Sequence, residues 1–151
     1  MAIARGAGTE IIRSVLLKDV DDTWRTAIYG VRHHIYTILN INIFAYNVNT
    51  AGNYCEVKIV GYDAVAGTSG QDFFIVRQDM QNNGTFVWND KFSFNGYEPV
   101  DFTGPLDSEA KQDAIADQAV SSDTRQSLQV HGEHGSDHFM VAVTYIDQNN
   151  A

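Results

Sequence analysis

One long alternating stretch constrains the fold of this chain more than any other feature. Residues 35–46 place successive side chains on opposite faces of an extended strand. One face carries Ile35, Thr37, Leu39, Ile41 and Ile43, and the other carries Tyr36, Ile38, Asn40, Asn42 and Phe44. Because both faces are rich in apolar side chains, one face is expected to pack in a core and the other to need a partner.

Shorter runs of β-branched and aromatic residues recur along the rest of the chain, separated by clusters of Gly, Asn and Asp. They span residues 11–18, 26–29, 55–60, 73–77, 85–88, 91–94, 127–131 and 139–146. Parallel βαβ units would need helical patterns between most of these runs, and only residues 107–122 have one. The sequence therefore predicts an all-β protein, an antiparallel, jelly-roll-like β-sandwich with one short helical insertion.

The domain organisation is predicted to be simple. Residues 1–9 are small and glycine-rich, which is typical of a flexible arm, and residues 10–151 are expected to form a single sandwich domain. An insertion at about residues 97–126 contains the predicted helix. Because it is longer than ordinary loops, we expect it to contact a neighbour or to be a solvated loop without a role.

Charge and composition exclude several classes of function. The net charge of -9 disfavours sequence-independent attraction to nucleic acid or to an anionic membrane. No apolar run approaches the length of a membrane helix or a signal peptide. The single cysteine, Cys55, excludes an intrachain disulfide and a cysteine-based zinc site, and its position on the inward face of a strand predicts an inert thiol.

A histidine cluster is the strongest metal candidate. His131, His134 and His138 lie close together in sequence with Glu133 and Asp137, and imidazoles and carboxylates bind divalent metals when several converge. The cluster joins two predicted strands, and its glycines are equally typical of a hairpin loop. We favour the polar hairpin and predict no metal and no cofactor.

Other candidate sites have simpler explanations. His33 and His34 are adjacent at the start of a strand, so their rings would point to opposite faces and are expected to be solvated. The acidic run at residues 19–22 lacks the ligand spacing of a calcium loop and predicts a turn. The aromatic residues Trp24, Tyr62, Trp88 and Tyr97 would suit a sugar-stacking platform, but they are equally suited to a core or an interface.

The chain has no nucleophile elbow, phosphate loop or dinucleotide fingerprint, and we predict that it is not an enzyme.

Four segments resemble the β-sandwich cement or decoration proteins of tailed bacteriophages. Residues 26–31 resemble their opening strand, and residues 36–49 resemble their long strand, which ends in an Asn/Thr/Gly turn. Residues 82–94 resemble their apolar hairpin, and residues 127–130 followed by 139–146 resemble their terminal hairpin. The insertion and the His33–His34 pair depart from the pattern of that class.

The resemblance implies a non-enzymatic virion protein. It would bind the major capsid protein on the outer surface of a phage head, as a trimer or dimer, and brace the coat subunits after assembly in the host cytoplasm. The alternative is a tail-fibre or carbohydrate-binding β-sandwich module of a virion appendage. A third possibility, a small metal-dependent enzyme, would require a retained metal.

Along the last predicted strand, alternate residues point to opposite faces, and we assign one face to the core and the other to an interface. Phe139, Val141, Val143 and Tyr145 share the bulkier face, which we assign to the core. The opposite face is less bulky but too apolar for full exposure. The predicted interface residues are therefore Tyr36, Ile38, Phe44, Met140, Ala142, Thr144 and Ile146.

Overall fold

A computed structural model describes residues 9–98, 105, 107–109 and 124–149. Within these residues the chain forms nine strands. They are β1 (Thr9–Val20), β2 (Arg25–Tyr29), β3 (His34–Asn47), β4 (Tyr54–Asp63), β5 (Thr68–Asp79), β6 (Thr85–Trp88), β7 (Phe92–Asn95), β8 (Ser127–Gly132) and β9 (His138–Asn149). Every strand run predicted from the sequence corresponds to one of them.

The strands form two antiparallel sheets. The five-stranded sheet has the order β1-β9-β3-β6, with β7 also paired to β3, and the four-stranded sheet has the order β2-β8-β4-β5. The first and last strands of the chain are therefore neighbours. This arrangement confirms the prediction of an all-β protein with antiparallel sheets.

The buried faces of the two sheets share one hydrophobic cluster. The five-stranded sheet contributes Ile41, Ile43, Phe139, Val141 and Val143, and the four-stranded sheet contributes Cys55, Val57, Leu128 and Val130. The inward assignment of Phe139, Val141 and Val143 is confirmed, and Tyr145 packs against this cluster while partly exposed. The two sheets thus cover one another, since a sheet with one apolar face must bury it against another element.

The central strand β3 departs from the alternation that its sequence suggests. The prediction that Tyr36 and Ile38 lie outside the core is wrong, because the exposed fractions are 3% for Tyr36 and 0% for Ile38. The pairing of β3 with β9 shifts between Ile38 and Asn40, which marks a β-bulge. The extra residue changes the parity, so that Ile38 and Ile41 both point inward while Leu39 is only partly buried.

The insertion leaves and rejoins the sandwich at one point. Tyr97 and Arg125 form an antiparallel bridge, and the backbone N–H of Glu98 donates to the carbonyl of Thr124 at 3.1 Å. The helix predicted for residues 107–122 falls largely on residues 110–123, which lie outside the described residues. Within the described ranges, no helix is long and apolar enough to span a membrane.

Because of the bulge, we expect substitutions at two neighbouring residues to differ in their effect on stability. Ile38→Ala should lower the free energy of unfolding by about 2–5 kcal/mol, because it leaves a cavity in the core. Leu39→Ala should cost clearly less, because Leu39 is not part of the buried cluster. Urea denaturation of both variants measures the difference. A larger loss for Leu39→Ala would mean that the strand alternates without a bulge.

Candidate interaction surface

The outward side of the five-stranded sheet is the most distinctive surface of the molecule. Strand pairing arranges its side chains in four rows across the sheet. The rows are Ile12–Ile146–Thr37–Ser93, Ser14–Thr144–Asn40, Leu16–Ala142–Asn42–Val87 and Met140–Phe44–Thr85. We call these residues the outer face.

Large apolar side chains on the outer face are open to solvent. Leu16 is 72% exposed, Ile12 is 69% exposed and Val87 is 46% exposed. Between Leu16 and Phe44 lies the small side chain of Ala142, which leaves an apolar groove of about 230 Å³. The groove can receive an apolar side chain from another molecule without a rearrangement of the sheet.

Hydroxyl groups on the outer face hydrogen-bond to one another. Ser14 Oγ lies 3.4 Å from Thr144 Oγ1, and Thr37 Oγ1 lies 2.9 Å from Ser93 Oγ. A polar group whose hydrogen bond is already made loses less on leaving water. These cross-strand pairs therefore reduce the cost of covering the face.

Charge is confined to the two ends of the outer face. No residue of the four rows is charged, although the chain as a whole carries a net charge of -9. Glu10 precedes the first row on β1 and pairs with Gln148, and Lys18 borders the groove at the far end of the same strand. The surface is therefore neutral along its length and has opposite charges at its two ends.

Side chains of the chain itself cover the middle of the outward side of the four-stranded sheet. Glu56 on β4 is 2% exposed, and its carboxylate accepts hydrogen bonds from Arg77 Nε at 2.6 Å and pairs with His131 Nε2 at 3.2 Å. Trp24 stacks on the His131 ring at 3.6 Å. Glu56 and Lys58 alternate with the core residues Cys55 and Val57 and therefore point outward, yet both are buried beneath these partners.

Lys58 completes this covering layer. Its ammonium group lies 4.0 Å from the centre of the Trp24 ring and 2.9 Å from Asp72 Oδ2. Cation, ring and carboxylate thus satisfy one another within the chain. These contacts cover the middle of the outward side of the four-stranded sheet, although Phe74 on its edge strand stays 50% exposed. Among the described residues, the outer face of the five-stranded sheet has no comparable layer of charged and aromatic partners.

The predicted interface residues divide according to the bulge in β3. Phe44, Met140, Ala142, Thr144 and Ile146 lie on the outer face, whereas Tyr36 and Ile38 belong to the core. Sequence reasoning missed Ile12, Leu16 and Val87 as members of this surface. The alternation of Ile12, Ser14 and Leu16 along β1 is the signal that could have indicated them.

The three candidate metal ligands point to different partners. His131 packs between Glu56 and Trp24, His134 Nδ1 accepts a hydrogen bond from the Ser136 N–H at 3.0 Å, and His138 Nδ1 lies 3.8 Å from Asp19 Oδ1. Among the described residues, no three His, Cys, Asp or Glu side chains converge as a metal site would require.

Asp137, in the same loop, has a structural role. Its fully buried carboxylate accepts hydrogen bonds from the backbone N–H of Asn49 at 2.7 Å and of His134 at 3.0 Å, and from Asn53 Nδ2 at 3.2 Å. It thereby joins the loop between β3 and β4 to the loop between β8 and β9. These donors occupy the oxygens that a cation would need.

His34 and the acidic turn also have partners within the chain. His34 Nδ1 lies 2.6 Å from Asp147 Oδ1, so the expectation that His34 is solvated is wrong. Asp147 also accepts a hydrogen bond from Arg13 Nε at 2.9 Å. In the turn after β1, the Thr23 N–H donates to Asp21 Oδ1 at 2.9 Å, and this hydrogen bond lowers the pKa of Asp21.

The four aromatic residues considered for a sugar platform contact different parts of the fold. Trp24 packs on His131, and Trp88 packs edge-on against Phe92 in the other sheet. Tyr62 lies beside Gly70, and Tyr97 packs beneath Arg32. They form no common stacking surface within the described residues.

Comparisons with known proteins show only a coarse similarity of fold to a solved structure. No protein-family model matches the sequence, and no curated protein matches it. The chain is similar to a solved structure described as "Bacillus endospore appendages form a novel family of disulfide-linked pili", with 12% sequence identity and a TM-score of 0.41 over 100% of this chain and 97% of that chain. The similarity is one between β-proteins only.

The raised pKa values of the Cys55 thiol and the Tyr36 hydroxyl predict how the stability of the fold depends on pH. Burial raises the pKa of the Cys55 thiol to about 12, with Glu56 and Asp137 acting in the same direction, and burial also raises the pKa of Tyr36 to about 12. In the unfolded chain these groups ionise near pH 9–10. The folded state therefore binds more protons in this range, and the free energy of unfolding should fall as the pH rises from about 9 to 12.

Urea denaturation at several pH values between 8 and 11 measures this loss. Cys55→Ala should start from a lower stability, because it leaves a small cavity, but should show a shallower decline. A midpoint that stays constant up to pH 11 in the unmodified protein would contradict the prediction.

Proposed function

We propose that this protein is a non-enzymatic structural subunit that associates with a second copy of itself through the outer face. The single observation that carries the proposal is the run of four uncharged rows, open to solvent, on an otherwise acidic molecule. Two copies that met through an acidic region would repel one another, whereas the uncharged outer face avoids that penalty.

The charges at the ends of the outer face support one orientation. A two-fold axis that lies between two outer faces and runs across the strands places β1 of one copy over β1 of the other in the opposite direction. Glu10 of one copy then approaches Lys18 of the other, and the pair forms twice. The same rotation brings the apolar groove beside Leu16 close to the same groove on the other copy.

We also infer that the topology is that of a jelly roll. Two observations support it: the first and last described strands are neighbours, and successive strands alternate between the two sheets from β1 to β4 and from β7 to β9. This fold occurs in viral capsid and lectin domains as well as in unrelated proteins, so it does not by itself indicate a function.

The narrower role of a cement protein on a phage head rests on the sequence resemblance alone. In that role the outer face would form the contact between copies of this protein. A different surface of the protein would bind the major capsid protein on the outside of the virion. The alternative is a module of a tail fibre or other appendage. Quantitative mass spectrometry of purified particles separates the two, because a cement protein should be present in numbers comparable to the coat subunit and an appendage module in a few copies.

A lysine in the middle of the outer face should abolish self-association. In Ala142→Lys the new ammonium group would be buried without a partner, and we expect the dissociation constant to rise at least about 100-fold, the factor that roughly 3 kcal/mol produces. Sedimentation velocity measures the assembly state, and circular dichroism measures the fold. Gln71→Lys, on the exposed edge strand β5, adds the same charge outside the outer face and should associate like the unmodified protein.

The orientation of the two copies is tested by exchanging the terminal charges. Glu10→Lys should weaken association, and the double variant Glu10→Lys/Lys18→Glu should restore it. A protein that is monomeric at high concentration before any substitution, or association that survives Ala142→Lys, would overturn the proposal.

A further inference from the structure

A small pocket lies where the insertion joins the sandwich, away from the outer face. Among the described residues it is lined by Val31, Arg32, Tyr97 and Arg125 and has a volume of about 360 Å³. It is unrelated to the contact proposed above, and sequence reasoning gave no indication of it.

The walls of the pocket are fixed by backbone contacts between three chain segments. The N–H of Gly30 donates to the carbonyl of Gln126 at 3.0 Å, and the N–H of Gln126 donates to the carbonyl of Gly96 at 3.0 Å. A side chain on Gly30 or Gly96 would collide with the backbone of the facing segment. These glycines therefore allow the segments that carry Arg32 and Arg125 to approach closely.

Two guanidinium groups converge on one aromatic ring. The Arg32 guanidinium lies 4.9 Å and the Arg125 guanidinium 5.5 Å from the centre of the Tyr97 ring. Arg125 Nε also donates a hydrogen bond to Tyr97 Oη at 2.6 Å, and its guanidinium lies 4.7 Å from the Tyr29 ring. Tyr97 is buried, so it fixes the position of both cations.

Arg32 differs from the paired cations of the sandwich. Arg13, Lys58 and Arg77 each form an ion pair with a carboxylate. Arg32 is exposed, and no described carboxylate lies within ion-pair distance of it. In a chain with only 10 Lys and Arg against 19 Asp and Glu, a cation held over a ring and beside a second cation is well placed to bind an anion.

We propose that this pocket binds the carboxylate group of a small organic acid whose ring has an apolar face, such as an acidic sugar. A guanidinium group donates two parallel hydrogen bonds to a carboxylate. The neighbouring side chains of Val31 and Tyr29 are 48% and 54% exposed, and they offer apolar surface to the body of the ligand. The net charge of -9 opposes a dianion more strongly than a monoanion, which favours a carboxylate over a phosphate.

The test is a titration of the full chain at constant ionic strength, monitored by NMR signals of the arginine side chains. Sodium glucuronate, sodium acetate and inorganic phosphate are the three probes. Glucuronate should give saturable shifts of the Arg32 and Arg125 signals with a millimolar dissociation constant, and acetate should bind more weakly because it lacks the ring.

Two variants with the same loss of charge identify the site. Arg32→Gln should weaken glucuronate binding at least about tenfold while the circular dichroism spectrum stays unchanged. Lys91→Gln removes one positive charge from an exposed loop position and should bind glucuronate like the unmodified protein. Saturation by phosphate alone, no saturable shift with glucuronate, or equal weakening in both variants would overturn the proposal.

Discussion

The bulge in β3 is the constraint on which the rest of the structure depends. β3 is the strand to which β6, β7 and β9 all pair, so the direction of its side chains decides the composition of both sides of the five-stranded sheet. With the extra residue between Ile38 and Asn40, the apolar side chains at both ends of β3 enter the same core. The outward side then receives short polar residues beside Phe44, and a neutral surface with an apolar groove results.

The outward sides of the two sheets differ in how far other side chains of the chain cover them. On the four-stranded sheet, Glu56 and Lys58 are buried under Trp24, His131 and Arg77, so charges and rings satisfy one another internally. On the five-stranded sheet, no loop within the described ranges folds over Ile12, Leu16 or Val87. Exposed apolar area without internal cover is costly in water, and this asymmetry is the physical reason for placing a contact between copies on one sheet and not on the other.

The cations of the molecule show a similar division of roles. Arg13, Lys58 and Arg77 lie on the sheets and are paired with the carboxylates of Asp147, Asp72 and Glu56. Arg32 and Arg125 lie around Tyr97 at the base of the insertion. A self-association surface and an anion pocket can coexist on this fold, because they use different segments and because neither needs the other to be occupied.

The sequence by itself determined the class of fold, the positions of the strands and the inward direction of Phe139, Val141 and Val143. Each of these follows from local alternation, since side chains point to opposite faces in successive residues of a strand. Only the tertiary structure decided the parity of Tyr36 and Ile38, because a bulge is defined by the partner strand and leaves no mark in the alternation itself. It also decided that Glu56 is buried, that the three histidines diverge, and that Arg32 and Arg125 lie near the same Tyr97 ring. Those outcomes depend on pairing between residues far apart in sequence, and a pattern read along the chain contains no information about which distant segments will meet.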